Sequence, residues 1–186
     1  MTYPTLAQCK TYMGVVGAAD DTEITQMLVH AIKAVEKHTH RVFVGATATK
    51  TFSVRFPFVT RNGLQLNLYE DLVSVTTVTN GNADVVASGD YDLYPAIPYY
   101  QINIRRGKSV HWQSDGDDTP ISIAGKWGYA VACPDDIFLE IMRIAALSFR
   151  AKAEGEGVAI TRTGLIIDKG QWPPSTLAVL EEYIRS

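Results

Sequence analysis

The amino-acid sequence predicts an α+β protein, in which a split helical bundle of about four helices carries an inserted antiparallel β-rich unit. Two changes in hydrophobic period support this class: the period is helical at both ends of the chain and becomes two in the middle. Two Asn-Gly pairs within the middle part are typical of hairpin turns between antiparallel strands. We therefore expect a helical domain of residues 1–44 plus 133–186 and a β-rich unit of residues 45–132.

The N-terminal part predicts two helices. The first lies between Thr2 and Met13 and ends at Gly14. The second runs from about Asp21 to His40. Asp20, followed three residues later by Glu23, predicts a capping box at its start. The apolar residues of the second helix recur at the helical period: Ile24, Met27, Leu28, Ala31, Ile32 and Val35.

The middle part alternates between apolar and polar residues. The first such strand contains residues 51–58, and the next ones contain residues 64–68 and 73–77. Asn62-Gly63 and Asn80-Gly81 predict the turns. Further strands are expected at residues 91–93, 100–104 and 121–124, with Gly125 breaking the last alternation.

A third helix is predicted from Pro134 to about Ala153, and its apolar surface extends almost all the way round. A surface helix needs an apolar arc of only about 100°. The third helix is therefore either central in its own domain or covered by a neighbouring subunit. Its thin polar line consists of Glu140, Arg143 and Arg150. A fourth helix is expected to begin at Pro173-Pro174.

The composition is that of an ordinary soluble globular protein: of its 186 residues, 46% are hydrophobic and 20% are charged. The net charge of −3 argues against a general nucleic-acid binder, which usually carries a basic face. Cys9 and Cys133 predict buried thiols in a reducing compartment. The N-terminus lacks the pattern of a secretion signal, and no apolar run approaches membrane-spanning length, so we expect no membrane association.

The sequence predicts no enzyme, no metal site and no cofactor. His38 and His40 are two residues apart, which excludes the i, i+4 pairing of helical zinc sites. The acidic run at Asp115, Asp117 and Asp118 lacks the glutamate that completes a calcium loop, so we interpret it as a solvated turn. Neither a nucleophile elbow nor a phosphate-binding glycine loop occurs.

A basic cluster with a nearby aromatic residue has two interpretations. Arg105, Arg106 and Lys108 precede Trp112, a combination that single-stranded nucleic acids can use. The acidic run at residues 115–118 is close enough in sequence to cancel this charge. We favour a salt bridge, within a loop or between subunits, over DNA binding.

Three passages resemble the head–tail connector proteins (adaptor or head-completion proteins) of long-tailed bacteriophages. The first is DDTEITQMLVHAIKAVEKHTHRVF, a paired-acid start of a helix that ends near Arg-x-Phe. The second is LNLYEDLVSVTTVTNGN, and the third is ISIAGKWGYAVACPDDIFLEIMRIAALSFRAKAEG. Together they cover most of residues 20–155, in the order that the family shows.

The resemblance implies a structural virion protein that forms a ring, typically twelve-fold, beneath the portal. Such a ring completes the head, continues the DNA channel and carries the tail or the next neck protein. Its partners would be the portal protein, identical subunits and that downstream protein, and DNA would pass through without specific binding. The protein would be made in the host cytoplasm and reside in the neck of the virion. Two alternatives remain open: another neck or tail-completion protein with a mostly β fold, and a small ligand-binding domain.

A closed ring of identical subunits needs two different complementary surfaces on each copy. We expect the apolar flanks of the third and fourth helices to provide a subunit or portal interface. The residues 155–186 either reach as an arm to the portal or a neighbour, or complete the bundle of their own chain. The predicted interface residues are Leu139, Met142, Ala146, Leu147, Phe149, Leu177, Leu180 and Ile184.

Overall fold

The computed structural model describes residues 2–113, 119–153, 160–161, 164–165 and 172–185. The chain forms two compact units: a helical unit, Met1–Arg41 with Ala132–Ser186, and a β unit, Val42–Val131. The predicted α+β class, with helices before and after an antiparallel sheet, is confirmed. The division into separately folding domains at 44/45 and 132/133 stays a prediction.

The helices and strands follow one another in the order that the change of period predicts. In chain order they are α1 (Leu6–Met13), α2 (Asp21–Thr39), β1 (Ala46–Phe52), β2 (Gln65–Thr79), β3 (Tyr91–Tyr94), β4 (Tyr99–Ile104), β5 (Ile121–Trp127), α3 (Asp135–Ala153), β6 (Ile160–Thr161), β7 (Gly164–Leu165) and α4 (Pro174–Glu181).

The capping box lies at the first helix and not at the second. A capping box is present at α1, where the Thr5 hydroxyl accepts from the amide of Gln8 and the Gln8 side chain accepts from the amide of Thr5. The predicted box at Asp20 is wrong, because the Asp20 side chain makes no capping hydrogen bond. The backbone of Asp20 lies at φ −101° and ψ 5°, outside the extended region in which an N-cap side chain reaches the helix amides.

Helix α3 is largely buried within the helical unit. It packs against α1, α2 and α4. Most of the broad apolar arc of α3 is therefore buried within its own chain, whereas Leu139 and Leu147 remain exposed. Its buried apolar residues are Ile137, Ile141, Met142, Ile144, Ala145 and Ala146.

The β unit is built on one five-stranded antiparallel sheet with the order β1-β5-β2-β4-β3. Strand β2 is 15 residues long and joins the two predicted strands of residues 64–68 and 73–77 into one. Its first half pairs with β4 and its second half with β5, and the register shifts between Asn67 and Leu72. The irregularity lets one long strand serve two partners.

The first predicted strand ends earlier than its alternation indicates. β1 stops at Phe52, and the amides of Phe58 and Val59 both donate to the Arg55 carbonyl, at 3.0 and 3.2 Å, which forms a turn. The rings of Phe52 and Phe58 nevertheless lie 6.1 Å apart against the same core. The alternating phenylalanines therefore share a core without sharing a strand.

Both Asn-Gly pairs lie in turns, as predicted. At the first turn the Thr60 amide donates to the Gln65 carbonyl at 3.0 Å, and Gly63 has φ +68°, a conformation that favours glycine. At the second turn the Asn80 amide donates to the Asp84 carbonyl at 2.8 Å. Local turn chemistry therefore sets both reversals of the chain.

Gly125 does not end β5, contrary to the prediction, and the strand continues to Trp127. A Cβ atom at Gly125 would lie 2.3 Å from the carbonyl oxygen of Ser74 in β2. Since no side chain fits between these backbones, glycine is required for β2 and β5 to pair at this point.

Substituting Gly125 with alanine tests this close contact. We expect Gly125→Ala to lower the free energy of unfolding by at least about 2 kcal/mol, because the methyl group forces β2 and β5 apart. Urea unfolding followed by circular dichroism measures the change. Gly89→Ala is the matched control, since a Cβ atom at Gly89 meets nothing within 4 Å. Equal stability of the two variants would contradict the contact.

Candidate interaction site

The described residues contain no cluster with the geometry of a metal site. Within residues 2–113, 119–153 and 172–185, no three His, Cys, Asp or Glu side chains could hold a metal ion together. The acidic residues Asp115, Asp117 and Asp118 lie outside the described residues. No helix in the described part of the chain is long and apolar enough to cross a membrane.

The two cysteine thiols are buried and do not form a disulfide with each other. Burial raises the pKa of Cys9 to about 11. Burial, together with the nearby carboxylate of Asp136, raises the pKa of Cys133 to about 12. Because the thiolate is the reactive form of cysteine, neither side chain is poised for nucleophilic chemistry near neutral pH.

Two of the three cations after β4, Arg105 and Lys108, are paired with aspartates on the other side of the β3–β4 hairpin. Arg105 Nη2 lies 2.7 Å from Asp92 Oδ1, and Lys108 Nζ lies 2.6 Å from Asp90 Oδ1. Trp112 is buried in the sheet core rather than available for stacking. These contacts favour the salt-bridge interpretation, with Asp90 and Asp92 as partners in place of the acidic run at residues 115–118.

The predicted interface residues differ in how much surface they offer within a single chain. Leu139, Leu147 and Ile184 are 47%, 36% and 41% exposed. Phe149 and Leu177 are half-buried. The remaining three, Met142, Ala146 and Leu180, are buried. The contact of these residues with a partner stays a prediction, and the first group offers the most surface for it.

The outward side of α3 forms a narrow surface, which we name the α3 stripe: Leu139, Arg143, Leu147 and Arg150. Spacings of four, four and three residues place these side chains on one face of the helix. The Tyr183 hydroxyl donates to the carboxylate of Asp136, in the first turn of α3, at 2.7 Å. The stripe thus combines exposed leucines with cationic side chains.

Glu140 does not belong to an exposed polar line, contrary to the prediction, because only 5% of it is exposed. Its carboxylate accepts a hydrogen bond from Thr176 Oγ1 at 2.6 Å and another from Arg143 Nη1 at 3.2 Å. Arg143 also donates to the hydroxyl of Ser175 at 3.1 Å. A buried carboxylate needs such donors, and α4 supplies one through Thr176.

The described part of the C-terminal segment docks onto its own helical unit. Thr176 and Leu180 are fully buried, and Trp172 is 4% exposed. The backbone of Arg185 donates to the Thr39 carbonyl at the end of α2, at 3.0 Å. For residues 172–185 these contacts favour the interpretation that the last helix completes its own bundle. The rest of the predicted arm lies largely outside the described residues.

Comparison with known proteins finds likeness in structure alone. No protein-family model and no curated protein sequence matches the chain. The fold is similar to that of a chain in the neck of an empty gene transfer agent (GTA) particle computed with C6 symmetry, with a TM-score of 0.66, 15% identity, and coverage of 98% of this chain and 90% of that one.

Two further solved structures show the same likeness. A chain in the virion of a native GTA particle matches with a TM-score of 0.63 and 17% identity, covering 100% of this chain and 93% of that chain. A chain in the neck of a native GTA particle computed with C12 symmetry matches with a TM-score of 0.64 and 15% identity, covering 97% of this chain and 88% of that chain. At these identities the likeness shows a shared fold, which includes both units of the chain.

The buried carboxylate of Glu140 gives a prediction about stability. Thr176→Val removes the hydroxyl donor and keeps the shape, so we expect the free energy of unfolding to fall by roughly 2–3 kcal/mol. Ser175→Ala is the control, because Ser175 is exposed and we expect its loss to change stability by less than about 0.5 kcal/mol. Chemical denaturation of both variants measures the difference, and a neutral Thr176→Val would show that Glu140 does not need this donor.

The two thiols give a second prediction. The native protein at pH 8 should not react with a thiol reagent such as Ellman's reagent. In the denatured chain both thiols should react. The unfolded chain loses thiol protons near pH 9, while the folded chain keeps them up to about pH 11 for Cys9 and 12 for Cys133. The free energy of unfolding should therefore fall as the pH rises above 9. A Cys9→Ala/Cys133→Ala variant should lose this part of the pH dependence, and rapid native labelling would contradict the burial.

Proposed function

We propose that this chain is a structural protein in the neck of a phage-like particle, where identical copies form a ring between the portal and the tail or the next neck protein. The observation that carries the proposal is the likeness, over 97–98% of this chain, to chains in two GTA necks. The sequence resemblance to head–tail connector proteins supports the same role independently.

The ring itself is supported by the symmetry of those assemblies. The two neck structures were computed with C6 and with C12 symmetry. We propose a twelve-fold ring for this chain, in agreement with the sequence resemblance. Its function would be structural rather than enzymatic: it completes the head and continues the channel through which DNA passes.

The α3 stripe is the surface that we propose for contact with the portal or a neighbouring subunit. Leu139 and Leu147 are exposed on a helix whose other faces are held by its own chain, so they sit on a rigid support. A few well-placed side chains supply most of the free energy at a protein interface. Arg150, which is exposed, adds positive charge, which helps to select the orientation of a partner.

Of the two alternatives, another neck or tail-completion protein with a mostly β fold is disfavoured by the four helices among the described residues. A small ligand-binding domain would need a pocket with converging polar groups in the β unit. No specific observation among the described residues favours such a pocket, so we retain the ring.

Electron microscopy of the protein mixed with purified rings of its portal protein tests the proposed function. We expect an additional ring of density on one end of the portal. Rotational averaging should show that this ring has twelve-fold symmetry. A mixture that leaves the portal rings unchanged, under conditions in which the protein is folded, would overturn the proposal.

Charged substitutions in the α3 stripe test the proposed interface. We expect Leu139→Asp/Leu147→Asp to weaken assembly onto the portal by at least about tenfold, because it places carboxylates in an apolar contact. Both side chains are exposed, so the circular dichroism spectrum should not change. Val85→Asp is the matched control, since Val85 is 68% exposed in the β unit. Unaltered assembly of the double variant would show that the stripe lies outside the interface.

A further inference from the structure

Three neighbouring strands of the β unit carry an amide-rich surface on one side of the sheet. In the register of β2, β4 and β3, Asn103 lies opposite Gln65 on one side and opposite Asp92 on the other. Two residues along β4, Gln101 lies opposite Asn67 and opposite Tyr94. Directly opposed residues of antiparallel strands project from the same side of a sheet. Together they form two rows of three, which we name the amide platform: Gln65, Asn67, Asp92, Tyr94, Gln101 and Asn103.

The amide platform lies on the side of the sheet that faces away from the core. Leu66 and Ile102, which alternate with its residues along β2 and β4, are fully buried in the core. Tyr94 is 56% exposed and Asp92 is exposed, while the four amides are half-buried. With strands about 4.8 Å apart and a rise of about 3.4 Å per residue, the platform measures roughly 10 Å by 7 Å. It reaches the edge strand β3 and is therefore open at that side.

Strand formation does not explain the residue types of the platform. Asn and Asp are depleted in strands, whereas β-branched residues are enriched there. On the same side of the sheet, the other edge strand, β1, follows the usual preference with Thr47, Thr49 and Thr51. The amides of the platform therefore replace residues that would form strands more readily, which indicates a role other than folding.

The centre of the platform has hydrogen-bonding groups that the fold does not use. In β2, the Gln65 amide donates to Asn67 Oδ1 at 3.0 Å, and the Asn67 amide donates to the Pro57 carbonyl at 3.1 Å. In β4, by contrast, the Gln101 side chain has no hydrogen-bond partner among the described residues. Asn103 Oδ1 is buried and likewise has no partner in the described part of the chain. Buried polar groups without a partner are few in folded proteins and require an explanation.

The charge of the platform narrows the class of partner. The Asp92 carboxylate accepts hydrogen bonds from Arg105 Nε and Nη2 at 2.9 and 2.7 Å, so its charge is already compensated. Binding to a nucleic-acid backbone depends on cations that neutralise phosphates, and the platform offers none. A protein partner would be anchored by several aromatic or Arg side chains, of which the platform has one, Tyr94.

We propose that the amide platform binds a neutral oligosaccharide. A sugar hydroxyl both donates and accepts a hydrogen bond, and an amide side chain offers a donor and an acceptor in one plane. Gln101 and Asn103 would bind such hydroxyls at the centre of the platform. The exposed Tyr94 ring adds an aromatic surface for the apolar C–H groups of a sugar ring. This binding activity goes beyond the proposed role in the neck and does not rest on it.

Titration of the folded, full-length chain with neutral sugars tests the platform. The probes are linear hexasaccharides of glucose, mannose, galactose and N-acetylglucosamine, and NMR follows the side-chain amide groups. We expect at least one probe to shift the Gln101 and Asn103 signals saturably below about 10 mM. The double variant Gln101→Thr/Asn103→Thr should bind that probe at least about tenfold more weakly. Its free energy of unfolding should be unchanged or higher, because Thr is favoured in strands.

A matched control and a second variant complete the experiment. Thr47→Ser/Thr49→Ser changes the same side of the sheet outside the platform and should bind the probe as the unaltered chain does. Tyr94→Ala, at an exposed position, should weaken binding at least about fivefold and keep the circular dichroism spectrum.

Each contrary result overturns the proposal in a different way. If no probe binds, the platform is an ordinary solvated surface. Binding that survives both the double variant and Tyr94→Ala places the sugar elsewhere on the chain. Shifts of the same amides with a short single-stranded DNA, and with no sugar, assign the surface to nucleic acid. None of these results depends on assembly with the portal, which tests the proposed function separately.

Discussion

The close approach of β2 and β5 at Gly125 is the constraint on which the β unit depends. Strand β5 lies between β1 and β2, so any displacement there separates β1 from the rest of the sheet. The same pairing sets Ile123 opposite Val78 in the core. At Gly128 there is likewise no room for a side chain, since a Cβ atom there would lie 2.6 Å from the Cα of Gly45. The two glycines of the Gly-Lys-Trp-Gly passage, which carries part of the family resemblance, are thus explained by backbone packing.

In the helical unit, the corresponding constraint is the buried carboxylate of Glu140, which requires hydrogen-bond donors. Glu140 lies on the side of α3 that faces α4, and the loss of water around its carboxylate is offset by hydrogen bonds from Thr176 and Arg143. Helix α4 therefore both covers apolar surface and supplies a polar partner. Its short length of eight residues would make it marginal in isolation. The described C-terminal helix is consequently part of the core, and an interface must use the surface that remains outside it.

Local signals were sufficient for much of the fold and insufficient for the interface. The period of the second helix gave the start of α2 at Asp21 and its end within one residue, and the Asn-Gly pairs gave both turns because each depends on neighbouring residues. The wide apolar arc on α3 had two interpretations, because a helix buried by its own chain and a helix buried by another copy show the same sequence pattern. The inward position of Glu140 depends on Thr176, 36 residues away. Phe56 continues the alternation of a strand that has already ended, so its exposure has no sequence signal.

Charge pairing in the β unit bears on how DNA would pass through the proposed ring. In a ring of identical subunits, any cation that faces the channel is repeated once per copy. Each phosphate neutralised by such a cation releases a counterion and steepens the dependence of binding on salt by about 0.9 logarithmic units. Arg105 and Lys108 are already paired with Asp92 and Asp90, so a phosphate contact would first have to displace an aspartate. In the proposed ring, local neutralisation of this kind would weaken the binding of DNA at every copy, which would suit a channel that lets DNA slide.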